Sequence, residues 1–374
     1  MQAESITVDG KIPEGDGSRP VKIEIAMGLI ASISEIDGET DRVILPGFID
    51  VHNHGAVGVD VNAASPGELI EVSRFLSKKG VTGWLPTIVP DDPDNYRSAV
   101  DAIDRAMAVQ TGEPVAQILG VHYEGVFANK EMCGALRKDY FREFTDVGQL
   151  ESLPLPAKGV RMMTFAPEIE GGIALTRALI EERWIPSIGH TNAEPAILES
   201  VFSAGAHHIT HFFNTMTGLH HRDLGVVGWA LSKEETTFDI IADGIHVHPS
   251  VIRLAVDARG CDKVTLISDS IAPTGLGDGE YKVWGKSLSV TAGRTSIANG
   301  SIAGSVIGVD DAAKNMQLLG YSLEDVSRMS SLNPSKLLKL DETYGSIEVG
   351  KRADFVICDE GLQIKSVYIG GRRV

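Results

Sequence analysis

The chain is poor in cysteine, short of basic residues relative to acidic ones, and free of long apolar runs. Only three of its 374 residues are cysteine: Cys133, Cys261 and Cys358. An odd number at wide spacings, with no C-x-x-C pair, excludes a disulfide framework and suits reduced thiols in a cytoplasm. Lys and Arg total 34 against 51 Asp and Glu, a formal net charge of −17. A field of that sign opposes nonspecific binding to nucleic acid or an anionic membrane, yet leaves room for a local basic pocket that takes a small anion. No stretch approaches the ~18 consecutive apolar residues of a membrane span. The opening residues are polar, with Glu4, Asp9, Glu14 and Asp16, and lack the basic-then-apolar order of a secretory signal. Low-complexity tracts and short fixed-period repeats are absent too. The expectation is a soluble cytoplasmic protein.

What the chain has in excess is glycine, 40 residues, against an average near ~7%. Tight turns or close backbone approaches must recur in the fold. Eight short apolar, β-branched runs lie along the middle of the chain, at 43–54, 81–89, 116–127, 160–167, 184–190, 207–213, 237–246 and 263–269. Amphipathic stretches separate them at 68–79, 95–109, 173–182, 194–204 and 250–259. In the first of these, Leu69, Ile70, Val72, Phe75 and Leu76 share a face at helical spacing, with Ser65 or Pro66 before it and Gly80 behind it as caps. Such alternation predicts an α/β fold, a (β/α)8 TIM-like barrel; an open doubly wound sheet is the alternative.

The ends differ. Short strands are expected at 6–8, 21–25, 29–36, 346–349, 354–358 and 364–368, punctuated by glycine. Neither tail has enough apolar residues to fold alone. Both are expected to join in a small β-sandwich domain built from the two termini, residues 1–46 and 340–374. The catalytic barrel then spans 47–339, with a β-hairpin insertion at 281–298 and two or three helices over 310–338.

Candidate metal ligands fall at the C-terminal ends of the strands, the active-site face of a barrel. His52 and His54 end the first, Glu124 the third, His190 the fifth, His211 the sixth and Asp269 the eighth. Period-two alternation points His52 and His54 the same way. Two imidazoles so placed can hold one divalent metal, and Glu124 can bridge it to a second held by His190 and His211. Any one of these residues alone would be weak evidence; six on one face are not a coincidence of composition. The other histidines are read as structural. His122 should support Glu124, His207 should face the barrel interior, His208 the helices, and His248, before Pro249, solvent.

These motifs resemble the amidohydrolase superfamily and, within it, the N-acetylglucosamine-6-phosphate deacetylases. The resemblance runs over nearly the whole chain: LPGFIDVHNHG (45–55), YEGVFANKEMCGAL (123–136), GHTNA (189–193), THFFNTM (210–216), ADGIHVHP (242–249), SDSIAPTG (268–275) and GSIEVGKRADFVICD (345–359). H-x-H and the terminal motif indicate only the superfamily. E-G-x-F, H-F-F-N-x-M and D-G-I-H-V-H together are specific to the deacetylase branch. The resemblance implies hydrolysis of the acetamide of N-acetyl-D-glucosamine 6-phosphate, in amino-sugar catabolism and cell-wall recycling. It implies one or two divalent metals per subunit, zinc first, with iron, manganese or cobalt as alternatives. Glu124, His190 and His211 match the core metal site; His52 and His54 match members that hold a second metal; Asp269 matches the catalytic aspartate. Ala135, Leu136, Asn214, Thr215, Arg222, His246, Ile302, Ala303, Gly304 and Ser305 match substrate-binding positions. Relatives reach the phosphate with the arginine at position 222 across a dimer interface, so a homodimer is implied.

The sequence departs from the family at three places. Leu136 stands where relatives often carry a histidine, and cannot donate a hydrogen bond. Compensation by Arg137 or by a second metal is one expectation. Val126 replaces the usual proline, and Ser268 and Ser270 flank Asp269 in place of T-D-A. Leu136 keeps a related substrate, such as N-acetylgalactosamine 6-phosphate, as an alternative. A non-catalytic sugar-phosphate-binding protein is disfavoured by the complete ligand set.

Overall fold

The computed structural model describes residues 6–15, 17–298 and 300–374; residues 1–5, Asp16 and Asn299 lie outside them. Eight parallel strands form the barrel: Phe48–Asn53, Val81–Ile88, Gly120–Glu124, Val160–Phe165, Ile185–Ile188, His208–Ile209, Thr237–Ile241 and Val264–Ile267, in that order around the wall. The seam between the last and the first closes through strand ends. Asp269 donates its N–H to His52 O at 2.9 Å, and His54 donates to Ser270 O at 2.8 Å.

Ile49, Val51, Leu85, Leu119, Met162, Ile185, Ile241 and Ile267 form their own buried cluster, which fills the barrel interior. The register of the first strand against the second shifts between Asp50 and Asn53. That irregularity resets the alternation, so Ile49 and Val51 face the interior while His52 and His54 both face the mouth.

Helices cover the outside. Pro66–Lys78 begins at a capping box, in which Ser65 and Glu68 each bond the other's backbone N–H. Pro93–Val109, Gly172–Glu181, Pro195–Ser203 and Pro249–Arg259 follow their strands as the periodicity indicates. One helix, Gly225–Ser232, has no amphipathic signature because nearly all of it is buried. The 310–338 region supplies Val309–Leu318, Leu323–Ser327 and Asn333–Leu337. Among the described residues, no helix is long and apolar enough to cross a membrane.

The termini meet in one continuous sheet of seven strands, with Val43–Pro46 between Ile6–Glu14 and Phe355–Cys358. The run at 43–54 is therefore two strands, one in each sheet. It breaks at Gly47, where a Cβ would lie 2.1 Å from Thr82 Oγ1. The stretch 346–349 is a turn, not a strand; Ser346 bonds Glu348 at 2.6 Å and receives Lys351 Nζ at 2.6 Å, which fixes it locally. The insertion after the eighth strand is a three-stranded sheet, Gly279–Val283, Lys286–Thr291 and Arg294–Ile297. It packs through Val283, Trp284, Leu288 and Val290 against Leu136, Ile271 and Ala303 at the barrel mouth.

Candidate active site

The six ligand candidates converge at that mouth, all of them buried. Glu124 is their hub. Its Oε1 lies 2.9 Å from His190 Nε2 and 3.1 Å from His211 Nε2, and its Oε2 lies 3.2 Å from His54 Nε2. His52 and His54 approach Nε2 to Nε2 at 3.1 Å, as do His190 and His211. Two triplets result, His52–His54–Glu124 and Glu124–His190–His211, each with ligand atoms within 4.8 Å of one another. Asp269 Oδ1 stands 3.3 Å from His54 Nε2 and 3.5 Å from His52 Nε2.

This donor set fits divalent cations. His54 Nδ1 lies 3.0 Å from Thr87 O and His190 Nδ1 2.8 Å from Met132 O. An N–H donated to a carbonyl there leaves the Nε2 lone pair aimed at the centre. Among the described residues, His52 and His211 have no hydrogen-bond partner at Nδ1, so each 3.1 Å approach is held by an N–H shared between the two rings or by a positive charge between them. The carboxylates demand the same charge. Burial opposes ionisation of Glu124, yet His52, His190 and His211 hold its carboxyl well below the usual range. Asp269 is lowered too, with His52 and His54 outweighing burial. Burial pushes His54 down, but Asp269 and Glu124 more than offset it and raise its pKa to about 10. A proton on His54 or a divalent cation supplies what the carboxylates require.

The strand ends that present these groups are strained. His190, His211 and Asp269 have φ of 48°, 33° and 48°, a region that costs non-glycine residues energy and clusters at functional sites. Neighbours hold each in place. His190 O accepts from Asn129 N–H at 3.2 Å, His211 N–H donates to the buried Asp239, and Asp269 O accepts from Ser305 N–H at 2.7 Å.

Ala135, Leu136, Asn214, Thr215, His246, Ile302 and Gly304 line a cavity of about 120 Å³ over this cluster. Asp243 fixes His246, taking its backbone N–H at 2.8 Å and its Nδ1 at 2.7 Å. His190 has comparable support at Nδ1 from Met132 O, whereas His211 Nδ1 has no partner among the described residues and is held only through its backbone N–H on Asp239. Ala303 and Ser305 do not line the cavity. Ala303 packs in the apolar cluster under the insertion, and Ser305 stitches the eighth strand through bonds to Ser268 O and Asp269 O. Arg222 is exposed on a loop and does not reach the cavity of its own chain.

Three expectations are corrected. Arg137 does not replace the family histidine: it pairs with Asp91 and covers the Tyr140 ring, outside the metal-site cavity. The sixth strand starts at His208, which is buried with Asp239 at 3.2 Å, while His207 is exposed and stacks on Phe202. Their assigned directions are therefore reversed. His122 is buried against His52 and bonded to Val51 O and Thr164 Oγ1, a supporting role, and the exposed His248 caps Pro249–Arg259.

Sequence reasoning missed Gly134 and Trp284, which also line the cavity. Asp50, Asp239 and Asp243, which support it, went unnoticed as well. Trp284 left one trace: a large aromatic residue preceding Gly285 inside a predicted hairpin.

A parallel barrel that brings four histidines and two carboxylates together at its C-terminal mouth defines a metal-dependent hydrolase. Residues 43–374 match the model of the amidohydrolase family. The chain is 35% identical over 359 residues to an N-acetylglucosamine-6-phosphate deacetylase of Bacillus subtilis, covering 95% of this chain and 88% of that one. It is 34% identical over 357 residues to an N-acetylgalactosamine-6-phosphate deacetylase of Escherichia coli O157:H7, covering 94% of each. Among solved structures, a mutant N-acetyl-D-glucosamine-6-phosphate deacetylase of Mycobacterium smegmatis, in complex with N-acetyl-D-glucosamine 6-phosphate, superposes with a TM-score of 0.89 at 26% identity, over 99% of both chains. The chain belongs to the amidohydrolase family, in its N-acetylglucosamine-6-phosphate deacetylase branch.

Proposed function

We propose that the protein hydrolyses the acetamide of N-acetyl-D-glucosamine 6-phosphate to D-glucosamine 6-phosphate and acetate, in the cytoplasm. The observation that carries this is Asp269, ionised and buried within 3.5 Å of both His52 and His54 at the floor of the cavity. A divalent cation, when bound by Glu124, His190 and His211 and by His52 and His54, polarises an amide carbonyl and lowers the pKa of water. One or two fit the donors, zinc first and iron, manganese or cobalt as alternatives. Asp269, kept ionised by His52 and His54, takes the proton from the attacking water and returns it to the departing amine. His246, its Nδ1 anchored on Asp243, presents Nε2 to the sugar, and Asn214 and Thr215 orient the hexose and its phosphate.

The lining holds no Lys or Arg among the described residues, although the substrate is a dianion. Arg222 sits between exposed Leu219 and Leu224. We read this loop as a subunit contact through which Arg222 reaches the phosphate in the other copy of a homodimer. Residues 1–46 with 340–374, and 47–339, are read as the two structural units. The apolar Leu136 and the 34% relative acting on the galactosamine compound favour that epimer as the second reading.

An acetate-release assay over N-acetylhexosamines with and without 6-phosphate, under several metals, tests both. The expected result is fastest turnover of the 6-phosphorylated gluco compound. Preference for the galacto epimer would move the assignment to the second reading, and no acetate from any member would overturn both.

A further inference from the structure

We propose that Trp284 is the residue that limits the acyl group to acetyl, acting as a wall between the metal-site cavity and a second cavity behind it. The inference rests on the deacetylase reading above. Trp284 is nearly buried and its ring meets His54 edge-on, with centroids 5.1 Å apart at 80°. It lines the metal-site cavity on one side. On its other side lies a polar cavity of about 500 Å³, bordered by Asp60, Asn62, Asp91, Arg137 and Lys282. The indole is common to both.

The orientation of the substrate follows from the order of the strands. His54 follows the first strand and His190 the fifth, on opposite sides of an eight-stranded barrel. Thr215 belongs to the His190 side, where its carbonyl accepts from Thr191 N–H at 3.1 Å. The polar hexose and phosphate go with Asn214 and Thr215. The scissile carbonyl lies at Glu124 and Asp269. The acyl carbon chain then points across the site toward His54 and meets Trp284 and Leu136, which share one apolar cluster. The methyl is the one wholly apolar group of the substrate, and this is the apolar wall. A longer acyl chain would need the volume the indole fills.

The backbone shows that the side chain is kept for its contacts. Trp284 and Gly285 are the two central residues of the hairpin between Val283 and Lys286, with φ of 51° and 76°. Such a turn favours glycine or asparagine at both positions. Tryptophan is strained there, so turn chemistry does not explain it. Lys286, next in the hairpin, donates Nζ to Ala135 O at 2.7 Å and ties the turn to the loop carrying Leu136.

The same conformation makes Trp284→Gly a suitable test, because glycine fits the turn without strain. Release of carboxylate is measured from N-acetyl- and N-butanoyl-glucosamine 6-phosphate by the metal-loaded enzyme. The wild type is expected to favour acetyl, and Trp284→Gly to shift the ratio of kcat/KM toward butanoyl by about tenfold or more. Trp284→Leu, which keeps an apolar side chain on the cluster, should shift it in the same direction and decides the matter if the glycine variant does not fold. An unchanged ratio in folded variants, or a wild type indifferent to chain length, would overturn the proposal. A wild type inactive on both substrates would instead overturn the deacetylase reading.

Discussion

Ser268 donates its hydroxyl to Asp50 Oδ2 at 2.6 Å, across the seam between the last and first barrel strands. Ser268 N–H and Asn53 Nδ2 bond the same carboxyl at 3.2 and 3.0 Å. Burial raises the Asp50 pKa, and these donors oppose it. Ser268→Ala takes one donor from a fully buried acid and is expected to cost about 1–3 kcal/mol. Equilibrium denaturation in urea measures it; a loss below a few tenths would show that the hydroxyl contributes little to closure.

Asp269→Asn should retain metal, because Glu124 and the four histidines remain, and lose turnover by orders of magnitude. Metal analysis alongside acetate release separates the two properties. Normal hydrolysis by this variant would show that another group moves the proton.

Arg222→Ala is expected to raise KM for a 6-phosphorylated sugar far more than for its unphosphorylated counterpart. Steady-state kinetics on the pair checks this, and an equal effect on both would remove Arg222 from phosphate binding.

Leu136→His places a polar ring in an apolar cluster next to Gly125, where Leu136 Cδ1 already lies 3.0 Å from the position a Cβ would take. Destabilisation by roughly 1–3 kcal/mol is expected from the buried ring nitrogen. Calorimetry measures that cost. Kinetics on the same variant shows whether the histidine of relatives is limiting here: unchanged kcat/KM means it is not.

Acid stability should depend on Asp91. Burial raises its pKa, but Asn95 and Arg137 prevail and hold the carboxyl below its ordinary value. A carboxyl lowered in the folded state stabilises it fully above the unfolded pKa of about 4, and that contribution is lost as pH falls through the folded value. Asp91→Asn should therefore flatten the loss of stability below about pH 4, as measured by denaturation across the acid range. An acid limb identical to the wild type would place the titrating groups elsewhere.

The ligand positions could be read from the chain because strand ends are local: H-x-H, E-G and G-H each sit where an apolar run stops. The directions of His207 and His208 could not, since a strand of two residues gives no alternation to count. The break at Gly47 depends on Thr82 lying against it, a contact the local pattern does not contain. Helix Gly225–Ser232 is buried on nearly every side, so no periodicity marks it. Trp284 reaches His54 from a hairpin inserted after the eighth strand, and only the folded chain brings the two together.

The shared sheet also sets an order of events during synthesis. Val43–Pro46 is wholly buried, and its partners are Ile6–Glu14 on one side and Phe355–Cys358 on the other. The first partner leaves the ribosome before it, but the second follows only after the whole barrel. Throughout that interval the nascent chain carries an open, apolar strand edge, the kind of surface that recruits neighbouring chains. The small sheet is thus completed last, when Phe355–Cys358 takes its place beside Val43–Pro46.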